Sequence, residues 1–197
     1  MFVEKRHAII ESATRLFGSI GFDATTTLEI ANEADVTEPL IYYHFKGKHE
    51  LFKISLDLAF NEYFSRLVEL PKQTPSEFQK IVNIIDLHFQ IVDDLPEQMR
   101  MIVTTCPAKL NDSEGMCLKK IKKARKLVID YISGCLKAGI SNGEFLKVPV
   151  SPTTNTLVAL LNGLLRQSVY QLNHTEGVKA ATIDFCKRSL TGCCATQ

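Results

Sequence analysis

The chain has 197 residues, 45% of them hydrophobic, and a formal net charge of +1. That length and apolar content suit one compact functional unit of one or two sub-domains, and the most apolar run, Leu157–Leu165 with Asn162 inside it, is too short for a membrane span. Near-neutrality argues against a strong non-specific binder of nucleic acid, and the first 53 residues are themselves acidic, with six Lys and Arg against eight Asp and Glu.

Apolar periodicity predicts a first helix over Glu4–Ser19, with Ile9, Ala13, Leu16 and Phe17 on one stripe and an end near Gly18-Ser19-Ile20-Gly21. A charged amphipathic start of this kind is not a signal peptide. Residues 26–51 then read as helix, three-residue turn and helix. Thr26 followed by Glu29 is a capping box, in which the hydroxyl accepts an orphan amide and the carboxylate reaches back to the cap amide. Thr37 precedes Glu38-Pro39, so it is expected to cap a helix whose first turn holds proline, where the missing N–H costs least. The corner Ala34-Asp35-Val36 needs a positive φ, which Asp35 adopts at modest cost. Val36, Ile30, Ala31, Ile41 and Phe45 then close a small core on the first helix. Three helices in about fifty residues are too few to stand alone, and should dock on helices later in the chain.

With Ile41 and Phe45 turned inward, Pro39, Leu40 and Tyr43 fall on the opposite side, flanked by Tyr42 and His44. A short helix in water should carry Lys, Glu or Gln there. Aromatic and apolar surfaces with hydroxyls, and with Lys46 and Lys48 beyond the helix end, suit a nucleic-acid groove instead. The bland alternatives are that Tyr42 and Tyr43 pack on a neighbouring helix, and that His44 only answers the dipole of a helix C-terminus.

The run Thr26-Thr27-x-x-x-Ile30-Ala31-x-x-Ala34-x-Val36-Thr37, then Ile41-Tyr42-x-x-Phe45-x-x-Lys48-x-x-Leu51, resembles the DNA-binding domain of the tetracycline-repressor (TetR) family. The resemblance covers roughly the first quarter of the chain; the rest is similar only in length and helical pattern. It implies that Thr27 contacts phosphate, that Thr37, Pro39, Leu40 and Tyr43 face the major groove, and that Tyr42, His44 and Lys48 hold backbone phosphates. Asp35 departs from the family's usual glycine, which implies a slightly different turn rather than loss of the motif.

Helical patterns continue to the end of the chain. A long helix over Lys48–Glu69 leads to the linker Pro71-Lys72-Gln73-Thr74-Pro75. Next come Ser76–Asp93, a shorter helix after Pro96, a longer one from about Ser113 to Ala138, Thr153–Leu172 after Pro149 and Pro152, and Thr175–Leu190. The expected fold is all-α with about nine helices: a helix-turn-helix domain over 1–50, and a ligand-binding and dimerisation domain over 51–197. In Ser76–Asp93 the inward stripe is Ile81, Ile84, Ile85, His88, Phe89 and Val92. His88 is either the polar anchor of an apolar pocket or, the commoner case, a core histidine bonded to a carbonyl or hydroxyl. His88, Phe89, Tyr131, Asn162 and Arg166 are the candidate pocket residues. Apolar side chains on almost every side of Thr153–Leu172 suggest burial on two faces, one of them against a second copy. Leu161, Leu165, Val169, Ile183, Phe185 and Leu190 are the candidate dimer contacts, forming half of a four-helix interface as the family does. The row Asn162, Arg166, Tyr170 lines either the cavity or that interface. The basic run Lys119–Lys126 has Ile121, Ala124 and Val128 at helical spacing, so it reads as a solvated helix face.

The six cysteines, Cys106, Cys117, Cys135, Cys186, Cys193 and Cys194, form no CxxC pair and no zinc spacing. Reduced thiols in a cytoplasmic chain are expected, with Cys193-Cys194 an inert end rather than an oxidant sensor. No nucleophile–base spacing, metal cluster or phosphate loop suggests an enzyme, and no cofactor is implied. The expected function is a homodimeric transcriptional repressor, released from a near-palindromic DNA operator by a small-molecule inducer. The alternatives are a constitutive DNA-binding protein, or a small-molecule carrier or enzyme with a vestigial helix-turn-helix. The acidic first 53 residues imply few placed phosphate contacts and a shallow salt dependence.

Overall fold

The computed structural model describes residues 2–108, 115–170 and 177–192. Among the described residues the chain is all-α, with nine helices: α1 (Phe2–Ser19), α2 (Thr27–Glu33), α3 (Glu38–His44), α4 (Lys48–Glu69), α5 (Glu77–Asp94), α6 (Pro96–Ala108), α7 (Met116–Ser141), α8 (Val150–Tyr170) and α9 (Val178–Thr191). The expected helix ends at Ser113, Leu172 and Thr175 lie outside the described residues, as do Cys193, Cys194 and the side chain of Cys106. α8 begins at Val150, three residues before the expected Thr153. Pro152 falls in its first turn, where a missing N–H breaks no intrahelical bond.

The helices group into two compact units. The first comprises Met1–Tyr63 and Leu95–Lys120, so it takes in most of α4, α6 and the first turn of α7 beyond the expected 1–50. α6 packs along α1, and the approach is close at Gly18, where an added Cβ would lie 3.0 Å from the Glu97 carbonyl oxygen. The core is built from Ile9, Ala13 and Phe17 of α1, Ile30 and Ala31 of α2, Ile41 of α3, Leu51 and Leu56 of α4, and Met99 and Met101 of α6, all buried. Phe52 presents its edge to Phe17 and Phe22, at centroid distances of 5.4 and 5.1 Å, a favoured aromatic geometry. The three-helix motif thus gains from α4 and α6 the apolar cover it lacks by itself.

The turn between α2 and α3 closes as its sequence suggests. Asp35 has φ +51°, the one positive φ at a non-glycine among the described residues. That kink lets the Val36 N–H reach back to the Ala31 carbonyl at 2.9 Å, while the Ala34 N–H bonds Ile30 at 3.0 Å.

The second unit comprises Phe64–Asp94 and Ile121–Gln197. α5 is its centre, packed against both α8 and α9. Its buried side is Ile81, Ile84, Ile85, Leu87, His88 and Ile91. The expected stripe therefore needs correction: Phe89 and Val92 are only half-buried, and Leu87 and Ile91 take their places. Two packed neighbours turn the buried arc toward the Leu87 side, a shift that the period of a lone helix does not contain. The N-terminus of α5 is capped from far along the chain by Glu144, whose carboxylate accepts the Glu77 and Phe78 N–H groups at 2.7 and 2.8 Å. Burial works against that charge, yet the two amides hold the carboxyl below its ordinary range. Phe145 then folds over Gly139, where an added Cβ would come within 2.2 Å of the ring.

On α7, Lys122, Lys123, Arg125 and Lys126 are exposed, and Lys123 lies 4.4 Å from the centroid of Phe64. Lys120 pairs with Asp57. The basic run is a helix face with local partners. Cys135 and Cys186 are buried, and burial pushes both thiols up to about 11, so neither is a ready nucleophile.

Candidate nucleic-acid interface

α2 and α3 are seven residues each and pack on one another across the turn. In α2 the capping box forms: the Thr26 hydroxyl accepts the Glu29 N–H at 3.1 Å, and Glu29 Oε2 takes the Thr26 N–H at 2.7 Å. In α3, Thr37 holds the N-cap position with extended backbone but makes no side-chain capping bond, which corrects the expected cap. Two residues on stands Pro39, which has no N–H to give, and the next amide, Leu40, bonds the Thr37 carbonyl at 3.0 Å. The amide that a capping hydroxyl could take at the third helical position thus goes to the Thr37 carbonyl, and Thr37 is exposed.

α3 is divided sharply between inside and outside. Ile41 is fully buried and Phe45 nearly so, with the Arg6 guanidinium 5.2 Å above the Phe45 ring. Tyr42 and Tyr43 are 57% and 74% exposed, Pro39 is exposed, and Leu40 and His44 are half-buried. The two tyrosines therefore do not pack away on a neighbouring helix. Tyr43 and His44 stand edge to face, their ring centroids 5.0 Å apart. The outer side is a run of flat and apolar surfaces edged by hydroxyls, the chemistry that meets thymine methyls, sugars and phosphates in a groove.

Three of the expected phosphate contacts already have protein partners. The Thr27 hydroxyl donates to Glu38 Oε1 at 2.6 Å and lies 3.1 Å from the Tyr42 hydroxyl. Lys48 Nζ donates to the Thr25 carbonyl at 2.8 Å and sits 4.5 Å from the Phe22 ring centroid. An ammonium has three N–H groups, so Lys48 can tie the start of α4 to the loop before α2 and still meet an anion.

Residues 9–53 match the family described as bacterial regulatory proteins, tetR family. That part of the chain is a domain of this family. The chain is similar to the HTH-type transcriptional regulator HbdR of Aromatoleum sp. (strain CIB), 40% identical over 70 residues, a match spanning 36% of this chain and 29% of the relative. The fold is that of the ketosteroid transcriptional regulator KstR2 of Mycobacterium tuberculosis, with TM-score 0.75, 18% identity and 94% of each chain covered. It is also that of the transcriptional regulator FadR from Bacillus subtilis in complex with stearoyl-CoA, with TM-score 0.70, 16% identity, and 93% of this chain and 98% of the other covered.

Beyond the motif that this tetR-family domain shares with its relatives, the structure adds Glu38, bonded to Thr27, and Arg6, set over the inward Phe45. Glu38 and Arg6 were legible in the sequence only as charges; no helical spacing joins residue 38 to 27, or 6 to 45.

In the second unit, none of the pocket candidates is among the residues that wall the aliphatic cavity described below. His88 is buried, and its Nδ1–H donates to the Ile84 carbonyl at 2.7 Å, the bond of a core histidine. Burial lowers its pKa, outweighing that hydrogen bond, and favours the neutral ring. Tyr131 is half-buried and donates its hydroxyl to the Lys80 carbonyl at 3.2 Å, while Phe89 is half-buried on α5. Asn162 and Arg166 are exposed, with the Arg166 guanidinium 5.7 Å from the centroid of Tyr170. A cavity of about 10 Å³ does lie between α5, α7, α8 and α9, walled by Ile81, Ile84, Ile85, Ile132, Leu157, Leu160, Leu161 and Cys186. Of the candidate dimer contacts, Leu161, Val169 and Leu190 are buried within the protomer, and Leu165 and Ile183 are half-buried. Phe185 is 52% exposed. α8 turns outward a row of small and polar residues instead of leucines: Ala159, Asn162, Gly163, Arg166 and Tyr170.

Proposed function

We propose that this chain is a homodimeric repressor whose two α3 helices enter successive major grooves of a near-palindromic operator, and which a small-molecule inducer releases. The observation that carries the reading is the outer face of α3, which leaves Thr37, Pro39, Tyr42 and Tyr43 exposed on a helix that Ile41 anchors. In this reading Thr37, Pro39, Leu40 and Tyr43 meet base edges, and Thr27, Tyr42, His44 and Lys48 meet phosphates. Two-fold symmetry sets the half-sites about 34–36 Å apart. Phe185 and the small-residue row of α8 supply the second copy's contact, and the protein acts in the cytoplasm, where the operator is.

Ligand release fits the aliphatic cavity of the second unit and the stearoyl-CoA held by the Bacillus subtilis relative. An inducer that binds the DNA-free state better shifts the population away from the operator, by a change in the tilt of α4. One observation favours a second reading, a constitutive DNA-binding protein: the cavity has room for about one water, so an inducer must first open it.

Tyr43→Ala tests the first claim. Operator affinity in a gel-shift assay should fall by about 1–3 kcal/mol with dimerisation intact, and unchanged binding would remove Tyr43 from the interface. Long-chain acyl-CoA thioesters test the second. A raised melting temperature together with loss of the shifted band supports release, and no change in either supports the constitutive protein.

A further inference from the structure

We infer that Glu38 sets the discrimination of this regulator against non-operator DNA, by holding inward the protons of the two hydroxyls that edge its recognition surface. The inference rests on the reading above, in which α2 and the outer face of α3 meet the duplex. Glu38 stands in the first turn of α3, half-buried, and its Oε1 is 2.6 Å from Thr27 Oγ1. A carboxylate only accepts, so the single hydroxyl hydrogen of Thr27 points to Glu38. The contact of 3.1 Å between Thr27 and Tyr42 must then run the other way, with the phenol donating to Thr27 Oγ1. The result is one directed chain, Tyr42 to Thr27 to Glu38, across positions 11 and 15 residues apart in sequence.

The consequence is the reverse of what the side chains alone suggest. Two hydroxyls at the margin of the surface look like phosphate donors, but a phosphate oxygen needs a hydrogen, and both hydrogens are already directed into the protein. A phosphate approaching Thr27 also meets the Glu38 charge close behind it. A duplex whose phosphates meet Thr27 and Tyr42 must therefore first break the chain, and one that cannot do so stands off from it. A site that sets a base-edge amino group, such as the N4 of a cytosine, against the carboxylate offsets that repulsion, while arbitrary sequence does not. Specificity is a difference of affinities, and Glu38 raises it by weakening the wrong complexes more than the right one. The acidic balance of the first 53 residues points the same way, since it denies the surface a general attraction for backbone.

The test uses the full chain, and fluorescence anisotropy with two duplexes of equal length: the best sequence recovered from randomised DNA, and its shuffled counterpart. Glu38→Gln keeps the shape and removes the charge. It should tighten binding to the shuffled duplex by about five-fold and shrink the ratio between the two duplexes by a similar factor. Glu38→Ala, which leaves no acceptor for the Thr27 hydroxyl hydrogen, should tighten shuffled-duplex binding by a similar factor, and adding Tyr42→Phe to it should weaken that binding by about three-fold. Unchanged or weaker shuffled-duplex binding in Glu38→Gln, at an unaltered melting temperature, overturns the proposal. If Glu38→Gln melts early, Glu38→Asp keeps the charge but withdraws it from Thr27. That variant must then tighten shuffled-duplex binding by about two-fold, and its failure to do so also overturns the proposal. Tyr43→Ala separates the two levels. If it leaves both duplexes bound as before, the underlying reading is wrong. If it erases the preference while Glu38→Gln does nothing, only the role of Glu38 falls.

Discussion

In α2 the Thr26 hydroxyl and the Glu29 carboxylate satisfy each other's backbone amides, whereas in α3 the hydroxyl of Thr37 makes no capping bond and faces solvent. Both helices have seven residues, both follow a threonine in extended conformation, and both have an acid in the first turn. The difference lies in one residue and one fold. Position N3, which supplies both the amide and the acid of the α2 box, is Leu40 in α3: its N–H bonds the Thr37 carbonyl and it has no carboxylate to reach back, while Glu38 at N1 meets Thr27. α2 is thereby closed on itself and serves as framework. α3 is held by its inward residues and leaves Thr37 and Tyr43 exposed. A helix that must recognise something can be stabilised through its buried side alone.

The contrast can be broken or sharpened by substitution. The largest effect is expected at Ile41, fully buried at the root of α3. Ile41→Ala should cost about 2–5 kcal/mol in denaturant unfolding, because it leaves a cavity where the helix is anchored. A loss below about 1 kcal/mol would mean that α3 is held by something other than its inward side. Asp35 comes next, since both helices depend on its positive φ. Asp35→Val should destabilise by about 1–2 kcal/mol, because a β-branched residue clashes there, and a native melting temperature would show that the turn can be remade.

The two threonines provide the direct comparison. Thr26→Ala should lower stability by about 1 kcal/mol, and Thr37→Ala by less than about 0.5 kcal/mol while weakening operator binding. Equal losses in calorimetry would erase the distinction drawn between the two caps. The smallest effect is a pH dependence. The Thr26 N–H, then the Thr26 hydroxyl, hold Glu29 below its ordinary pKa of 4.5. A carboxyl whose folded pKa is depressed binds its proton less readily than in the unfolded chain. Its stabilisation is therefore complete above about 4.5 and fades as the pH falls through the lower folded value. The melting-temperature gap between the native protein and Glu29→Gln should close over that acid range; a gap independent of pH would assign the effect to shape instead of charge.

Much of this was visible in the order of residues. The capping box, the need for a positive φ at Asp35, the proline in the first turn of α3 and the opposition of Ile41 to Tyr43 all arise from rules that act within four residues. α4 was delimited correctly at Lys48–Glu69 for the same reason, being flanked by clear turn signals. The second unit was less legible. The leucines of α8 look interchangeable in sequence, so Leu161 and Val169 were expected at a surface shared with a second copy, yet they are buried within the protomer. On α5, Leu87 and Ile91 replaced Phe89 and Val92 on the buried side, because α8 and α9 both press on that helix.

The sequence alone determined the number and kind of helices, the corner between α2 and α3, and the face of α3 that must look outward, since these depend on local periodicity and backbone chemistry. Tertiary structure alone decided that Glu38 closes a proton chain through Thr27 to Tyr42, that Lys48 is tied to the Thr25 carbonyl, and which apolar residues of α8 remain inside. Those pairings join residues 11 to 23 positions apart, or different helices altogether. They are set by how packed helices cross, and no repeat of 3.6 residues records that.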